Sequence, residues 1–155
     1  MKYIELQWDG PHLLSSLDFA LVPSRPGVYV FTECSGPLRP NPLLPGESDP
    51  RHAAALESMR RTACVLYVGR ASNLQSRLRG YRFRPYLEIN RRPKGTPPRH
   101  VADRHKGRAL LHAHQYFDGI LYVRWAVDNW PKLTEPQLIR ELRPALNTLG
   151  LPAGQ

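Results

Sequence analysis

Sixteen prolines in 155 residues, bunched rather than spread, decide where this chain can form regular structure. Proline fixes φ and donates no backbone hydrogen bond, so it is tolerated at helix starts, sheet edges and turns and is excluded from most other places. Residues 34–50 hold Pro37, Pro40, Pro42, Pro45 and Pro50 with Gly36 and Gly46, a composition that rejects helix and strand alike. Residues 85–100 hold Pro85, Pro93, Pro97 and Pro98 with Gly95. Both stretches read as loops, and the regular elements must lie around them.

Two short β-prone runs flank the first loop: Gly27-Val28-Tyr29-Val30-Phe31, entered from Pro23 and Pro26, and Cys64-Val65-Leu66-Tyr67-Val68-Gly69. The loop closes on Asp49-Pro50, a helix start with Asp as N-cap and Pro at the first position, leading into a short helix over residues 51–61. After Gly69, Ser72 or Asn73 can cap a helix that carries Leu74, Leu78 and Tyr81 at helical spacing. Arg70, Asn73 and Arg77 then share another, basic face. Residues 101–117 read as a helix through Val101, Leu110, Ala113 and Phe117, which Gly119 breaks. Residues 120–127 are apolar, with Leu121, Val123, Trp125 and Val127 on one face, and read as the central or best-buried strand. A last helix opens at Thr134 as N-cap with Glu135 in its first turn and Pro136 where the missing N–H does no harm. Leu138, Ile139 and Leu142 give it an apolar stripe, and Pro144 ends it before Asn147. Near the N-terminus, residues 3–8 are expected to add an edge strand and residues 12–19 a short helix. The order describes an α+β domain, a small, largely antiparallel sheet flanked by helices.

The length suits one hydrophobic core, so residues 1–155 are expected to form a single domain. No apolar run approaches the roughly 18 residues of a membrane span, and residues 1–5 lack a signal-peptide core, so a cytoplasmic protein without a membrane partner is expected. Cys34 and Cys64 are too few for a disulfide scaffold and lack zinc spacing. Charge is more informative. Arginine supplies 18 of the 22 basic residues, against 13 acidic ones, and residues 70–108 hold twelve basic residues with only Glu88 and Asp103. Arginine forks match phosphate oxygens two at a time, which favours nucleic acid as partner, although a charge run is also what a solvated face looks like.

A further pattern lies in the order of four motifs: Gly27-Val28-Tyr29, then Tyr67-Val68-Gly69, then Arg70 through Arg77-Leu78, and finally Thr134-Glu135-Pro136 with Pro144-Ala145-Leu146-Asn147. Singly these are commonplace. In this order, with Arg77 ten residues after Tyr67 and Glu135 twelve before Asn147, the chain resembles the GIY-YIG nuclease superfamily over about residues 23–147, excluding insertions at about 34–62 and 85–100.

The resemblance implies a metal-dependent endonuclease in which Tyr29 and Tyr67 line the cleavage centre and Arg77 meets the scissile phosphate. Glu135 would be the sole protein ligand of a Mg²⁺ or Mn²⁺ ion, and Asn147 would order the site. Such a hydrated, oxygen-only site suits Mg²⁺. A tyrosine would take the attacking water's proton. Because tyrosine titrates near pH ~10, it needs nearby positive charge, and Arg70 is assigned that electrostatic role. The choice between Tyr29 and Tyr67 stays open, with a preference for Tyr29. Arg70, Asn73, Arg77, Arg84, Arg91 and Arg92 are the candidate nucleic-acid contacts. DNA is the expected substrate by analogy, and RNA is not excluded.

Each residue also has an ordinary explanation: strand tyrosines pack, Arg77 suits a surface, Glu135 suits a first turn and Asn147 a helix end. His112 and His114 point to different sides of a helix and make a poor zinc pair, while His105 and His112 share a face. Two rival functions follow: a nucleic-acid-binding module of the same fold that has lost turnover, and a protein-interaction domain whose proline-rich loops make the contacts. The chain departs from the family in separating Tyr29 and Tyr67 by 38 positions, where a tight hairpin is usual. Pairing survives such an insertion because loop-closure entropy grows only logarithmically, and it would bring Cys34 and Cys64 together at the insertion's base. Reduced thiols are the default there, and a disulfide is the alternative.

Overall fold

The computed structural model describes residues 1–82 and 121–149. Among these, strands β1 (Asp9–Leu13), β2 (Gly27–Thr32), β3 (Val65–Ala71) and β4 (Tyr122–Val127) form one antiparallel sheet in the order β1-β4-β2-β3. The accompanying helices are α1 (Lys2–Glu5), α2 (His52–Thr62), α3 (Leu74–Arg79), α4 (Pro131–Leu142) and α5 (Ala145–Leu149). The expected α+β architecture is therefore present.

Sequence period explains why β2 lies inside. All six of its residues are buried, because it is paired on both sides and covered on both faces. One face packs Tyr29, Phe31, Tyr67 and Trp125 against Leu74 and Leu78 of α3 and Tyr81 beyond it. The other packs Val28, Val30, Val68 and Ala126 against Leu138 and Leu142 of α4. Alternate residues of each strand thus feed two cores, and the helices that cover them start at the same end of the sheet, immediately after β3 and β4. The expectation that residues 120–127 are central holds in part: β4 is interior, but β2 shares that position and is the more uniformly buried.

The insertion is fastened to this frame by Asn41. Its Nδ2 donates to the carbonyls of Val65 (2.8 Å) and Arg143 (2.9 Å), and its Oδ1 accepts from the Val65 N–H (3.2 Å). Its backbone N–H donates to Leu142 O (2.9 Å), while Arg143 Nε donates to Asn41 O (2.7 Å). Arg143 itself adopts φ 53°, the left-handed turn that ends α4 and lets Pro144 redirect the chain into α5. A single buried amide therefore ties three segments that are far apart in sequence.

Several local expectations are corrected. Residues 3–8 do not form the edge strand. α1 occupies their first half, and the edge strand is β1, where Pro11 is accommodated because an edge strand leaves backbone groups unpaired. Residues 12–19 give short 3₁₀ turns at Leu14–Ser16 and Phe19–Leu21 instead of a helix. Asp49 does not cap α2 directly; its Oδ1 accepts the Arg51 N–H (2.8 Å), and α2 begins one residue later, with Arg51 as N-cap. Arg70 lies in β3, so it does not share a helix face with Arg77. α4 starts at Pro131, with Trp130 as N-cap, because Pro131 has the φ of a first helical residue and Asp128 Oδ1 accepts the Trp130 N–H (3.0 Å). Thr134 and Pro136 are consequently inside the helix, and Glu135 lies past its first turn. The expected helix at 101–117 and the loop at 85–100 lie outside the described residues.

Asn41→Ala removes a network whose partners stay buried, so it is expected to lower stability by about 2–4 kcal/mol, measured by urea denaturation. A change within 0.5 kcal/mol, the range of an ordinary surface substitution, would show that the insertion is held elsewhere.

Candidate active site

The register of the central hairpin builds the site. Tyr29 stands opposite Gly69 and Phe31 opposite Tyr67, so Tyr29 and Tyr67 are diagonal neighbours on one face, not direct partners. Their ring centroids lie 6.4 Å apart. Gly69 is required here by close approach: a Cβ at that position would fall 2.3 Å from Tyr29 Cζ. The phenol therefore lies across bare backbone, and its hydroxyl meets that of Tyr81 at 3.0 Å. Tyr29 and Tyr81 are fully enclosed, at 2% and 0% exposure, while Tyr67 keeps 7%.

Charged groups approach this tyrosine cluster from the helices and the strand edge. Arg77, in the last turn of α3, acts electrostatically on Tyr29, Tyr67 and Tyr81, and Glu135 of α4 acts on Tyr29 and Tyr67. Arg70 Nη1 lies 3.4 Å from Glu135 Oε1, with the arginine side chain 46% exposed and the glutamate 20%. Asn147 contributes from behind. Its Oδ1 accepts the Val68 N–H (2.7 Å) and its Nδ2 donates to Val68 O (2.9 Å), so one amide side chain pairs the open edge of β3 between Tyr67 and Gly69. It is a member of the short helix α5 and not merely a helix end.

The structure thus gathers Tyr29, Tyr67, Arg70, Arg77 and Glu135, with Asn147 holding the strand that carries two of them. Asn73 serves as N-cap of α3, its Oδ1 accepting the Ser76 N–H at 3.0 Å. Arg84, Arg91 and Arg92 lie outside the described residues, as do His105, His112 and His114. Tyr81 was legible only as part of an apolar helical stripe with Leu74 and Leu78. The overlooked signal was the polar tip on that stripe, one turn after Arg77.

Positive charge at the site acts in the expected direction without prevailing. Arg70 and Arg77 do favour the Tyr67 phenolate, but burial outweighs them and Glu135 opposes them, so Tyr67 is pushed up to about 12. Tyr29 is raised further. Burial is the main cause and Tyr67 adds to it, against the Tyr81 hydrogen bond and Arg77. Burial likewise raises Tyr81. In this state the three phenols keep their protons at neutral pH, and Arg70 spends part of its charge on Glu135.

Comparison with protein families, with characterised proteins and with solved structures yields no match. No helix among the described residues is long and apolar enough to cross a membrane.

Two outcomes follow from this geometry. Gly69→Ala should displace the Tyr29 ring and destabilise the protein by about 1–3 kcal/mol in urea denaturation. The buried phenols also set an alkaline limit. Their folded pKa values exceed the unfolded value of 10, so below pH ~10 both states bind the same protons and stability is level. Above it the unfolded chain loses protons first, and stability falls through the folded value of about 12 for Tyr67. Urea titrations between pH 9 and 11 should show this fall, and Tyr81→Phe should make it shallower. An unchanged slope would mean that Tyr81 ionises as freely folded as unfolded.

Proposed function

We propose that the chain is a GIY-YIG-type endonuclease that hydrolyses phosphodiester bonds in DNA with the aid of one Mg²⁺ or Mn²⁺ ion. The observation that carries this reading is the convergence of Tyr29, Tyr67, Arg70, Arg77 and Glu135, residues spread over a hundred positions of sequence, around one end of the β2–β3 hairpin. A packing role for the tyrosines alone does not call for two arginines and a glutamate beside them. The ordered motifs and the arginine-rich composition point the same way.

The donor set fits a hard, largely hydrated cation. Among the described residues no three His, Cys, Asp or Glu side chains gather into one cluster, so such an ion would take the Glu135 carboxylate and complete its shell from water and phosphate oxygens. Glu135, mostly shielded and adjoining Arg70, would hold it. A bound ion would supply positive charge for the departing oxygen and offset the field by which Glu135 raises the phenols. Arg77 neutralises charge growing on the phosphoryl group, and Arg70 steers the backbone of the nucleic acid toward it. Tyr29 Oη, oriented by Tyr81 Oη, is the candidate acceptor for the proton of the attacking water, with Tyr67 beside it. Asn147 keeps β3 straight enough for both rings to stay aligned.

Glu135→Ala, assayed on supercoiled plasmid with Mg²⁺, with Mn²⁺ and with chelator, should lose cleavage by at least about 10²–10³-fold while retarding DNA as wild type does. Cutting at the wild-type rate would take the metal away from Glu135. If a phenolate is the base, kcat/KM should rise roughly tenfold per pH unit from pH 7 to 9, since the phenolate fraction grows with pH below the raised pKa. A plateau near neutrality would instead assign the base to another group. The raised phenols also favour one second reading, a nucleic-acid-binding module of weak or absent turnover. It would show salt-sensitive retardation of DNA by both proteins and cutting by neither.

A further inference from the structure

Beyond the Thr32↔Val65 pair the β2–β3 ladder continues. The Glu33 N–H donates to Cys64 O at 3.0 Å, which sets Cys64 beside Glu33 and Cys34 one residue on, as a diagonal neighbour, where the insertion leaves and rejoins the sheet. Both are free thiols, Cys34 exposed and Cys64 half-buried, and Cys34 acts electrostatically on the Cys64 thiol. The buried guanidinium of Arg124 adjoins the pair and acts electrostatically on both sulfurs. It donates to Thr32 Oγ1 (2.9 Å) and to the Gly36 carbonyl, neutral oxygens on the same turn, and Thr32 Oγ1 donates onward to Cys34 O (2.8 Å). The nuclease chemistry uses none of these groups.

We propose that Cys34 and Cys64 form a reversible disulfide that latches the base of the insertion, with Cys34 as the thiol that meets a peroxide oxidant and Cys64 as the one that resolves it. In the first step the Cys34 thiolate attacks one oxygen of hydrogen peroxide. The O–O bond breaks, hydroxide leaves and takes up a proton as water, and Cys34 becomes a sulfenic acid. The Cys64 sulfur then attacks the Cys34 sulfur, the S–O bond breaks, and the oxygen leaves as water with the Cys64 proton. Two thiols lose two electrons in all, and the peroxide is reduced to two waters. Exposure sets the order of events. Burial and the neighbouring thiol push Cys64 up to about 11, so it stays protonated until its partner is oxidised.

The bond has a structural consequence. It closes a loop of about 30 residues, which chain entropy translates into a folding equilibrium constant higher by roughly 10²–10³-fold. It also pins the insertion where it docks, since Met59 and Ala63 pack on Ala145 and Asn41 grips the α4–α5 junction that leads to Asn147. The proposal stands independently of the nuclease reading.

The test treats the full chain with hydrogen peroxide, removes the oxidant, unfolds the protein and counts thiols. Two thiols should fall to none in a monomer lighter by two hydrogens, dithiothreitol should restore both, and the oxidised form should unfold at higher urea. In Cys64→Ser, Cys34 should instead be captured as a sulfenic acid by dimedone. Survival of both thiols, cross-linked dimers, or oxidation of wild-type Cys34 to a sulfinic acid would each overturn the proposal. Should the variant fail to fold, the wild-type thiol count and mass decide the matter.

Discussion

Everything near the candidate site depends on one steric allowance: the Tyr29 ring lies over Gly69, in the space where any other residue would carry a Cβ. That allowance lets the phenol lie flat across the neighbouring strand and bring its hydroxyl to Tyr81. Trp125 pairs with Tyr29 from the opposite strand, so the ring is bounded on both sides by the sheet and above by α3. Close packing of this kind leaves few rotamers open and holds the hydroxyl in place. The same enclosure is what makes ionisation costly. Position and acidity are thus set by one cause and pull in opposite directions, and the arginines at the rim of the cluster offset part of the cost.

Charge placement follows from where the helices begin. β3 and β4 run toward the same end of the sheet, so the helices that leave them start side by side there, and Arg70, Arg77 and Glu135 are brought together although α3 and α4 cover opposite faces. The contact between Arg70 and Glu135 spans 65 positions of sequence and joins the two layers at the strand edge. An exposed pair of this sort contributes little to stability. Its consequence is electrostatic: it leaves a glutamate shielded beside phenols, a placement that raises their pKa and that a cation would relieve.

Much of this was legible in the sequence. The hairpin strands showed as short apolar runs bounded by proline and glycine, and the ordered motifs named the residues that the fold then gathers. What escaped had specific causes. The start of α4 was read at Thr134, because a threonine followed by Glu-Pro is a strong local signal. The rigid φ of Pro131 and the carboxylate of Asp128 prevail because a helix begins at the first position where geometry and a cap coincide. β1 was misplaced because its alternation is weak and it contains a proline, which only its edge position excuses. The Tyr29–Gly69 pairing depends on a register between strands 38 residues apart, and no local pattern encodes a diagonal offset between two tyrosines. Asn41 carried no sequence signal at all, since its three carbonyl and amide partners converge only after the sheet and α4 have formed.

The long insertion poses the sharper physical question of how a hairpin keeps its register when its turn is replaced by more than thirty residues. The entropic cost of lengthening the loop is small, about 0.6 kcal/mol for each doubling. Register, however, normally comes from the turn, and here the turn specifies nothing. Three features take its place, two outside the insertion and one, Asn41, within it. β4 pairs with β2 along its whole length, Asn41 locks the first residue of β3 to the end of α4, and Asn147 pairs its far edge. β3 is therefore placed by what surrounds it, and the insertion takes part in aligning Tyr29 with Gly69 through Asn41. The rest of the loop is then free to differ in length and composition while β4, Asn41 and Asn147 keep the tyrosine cluster where the sheet puts it.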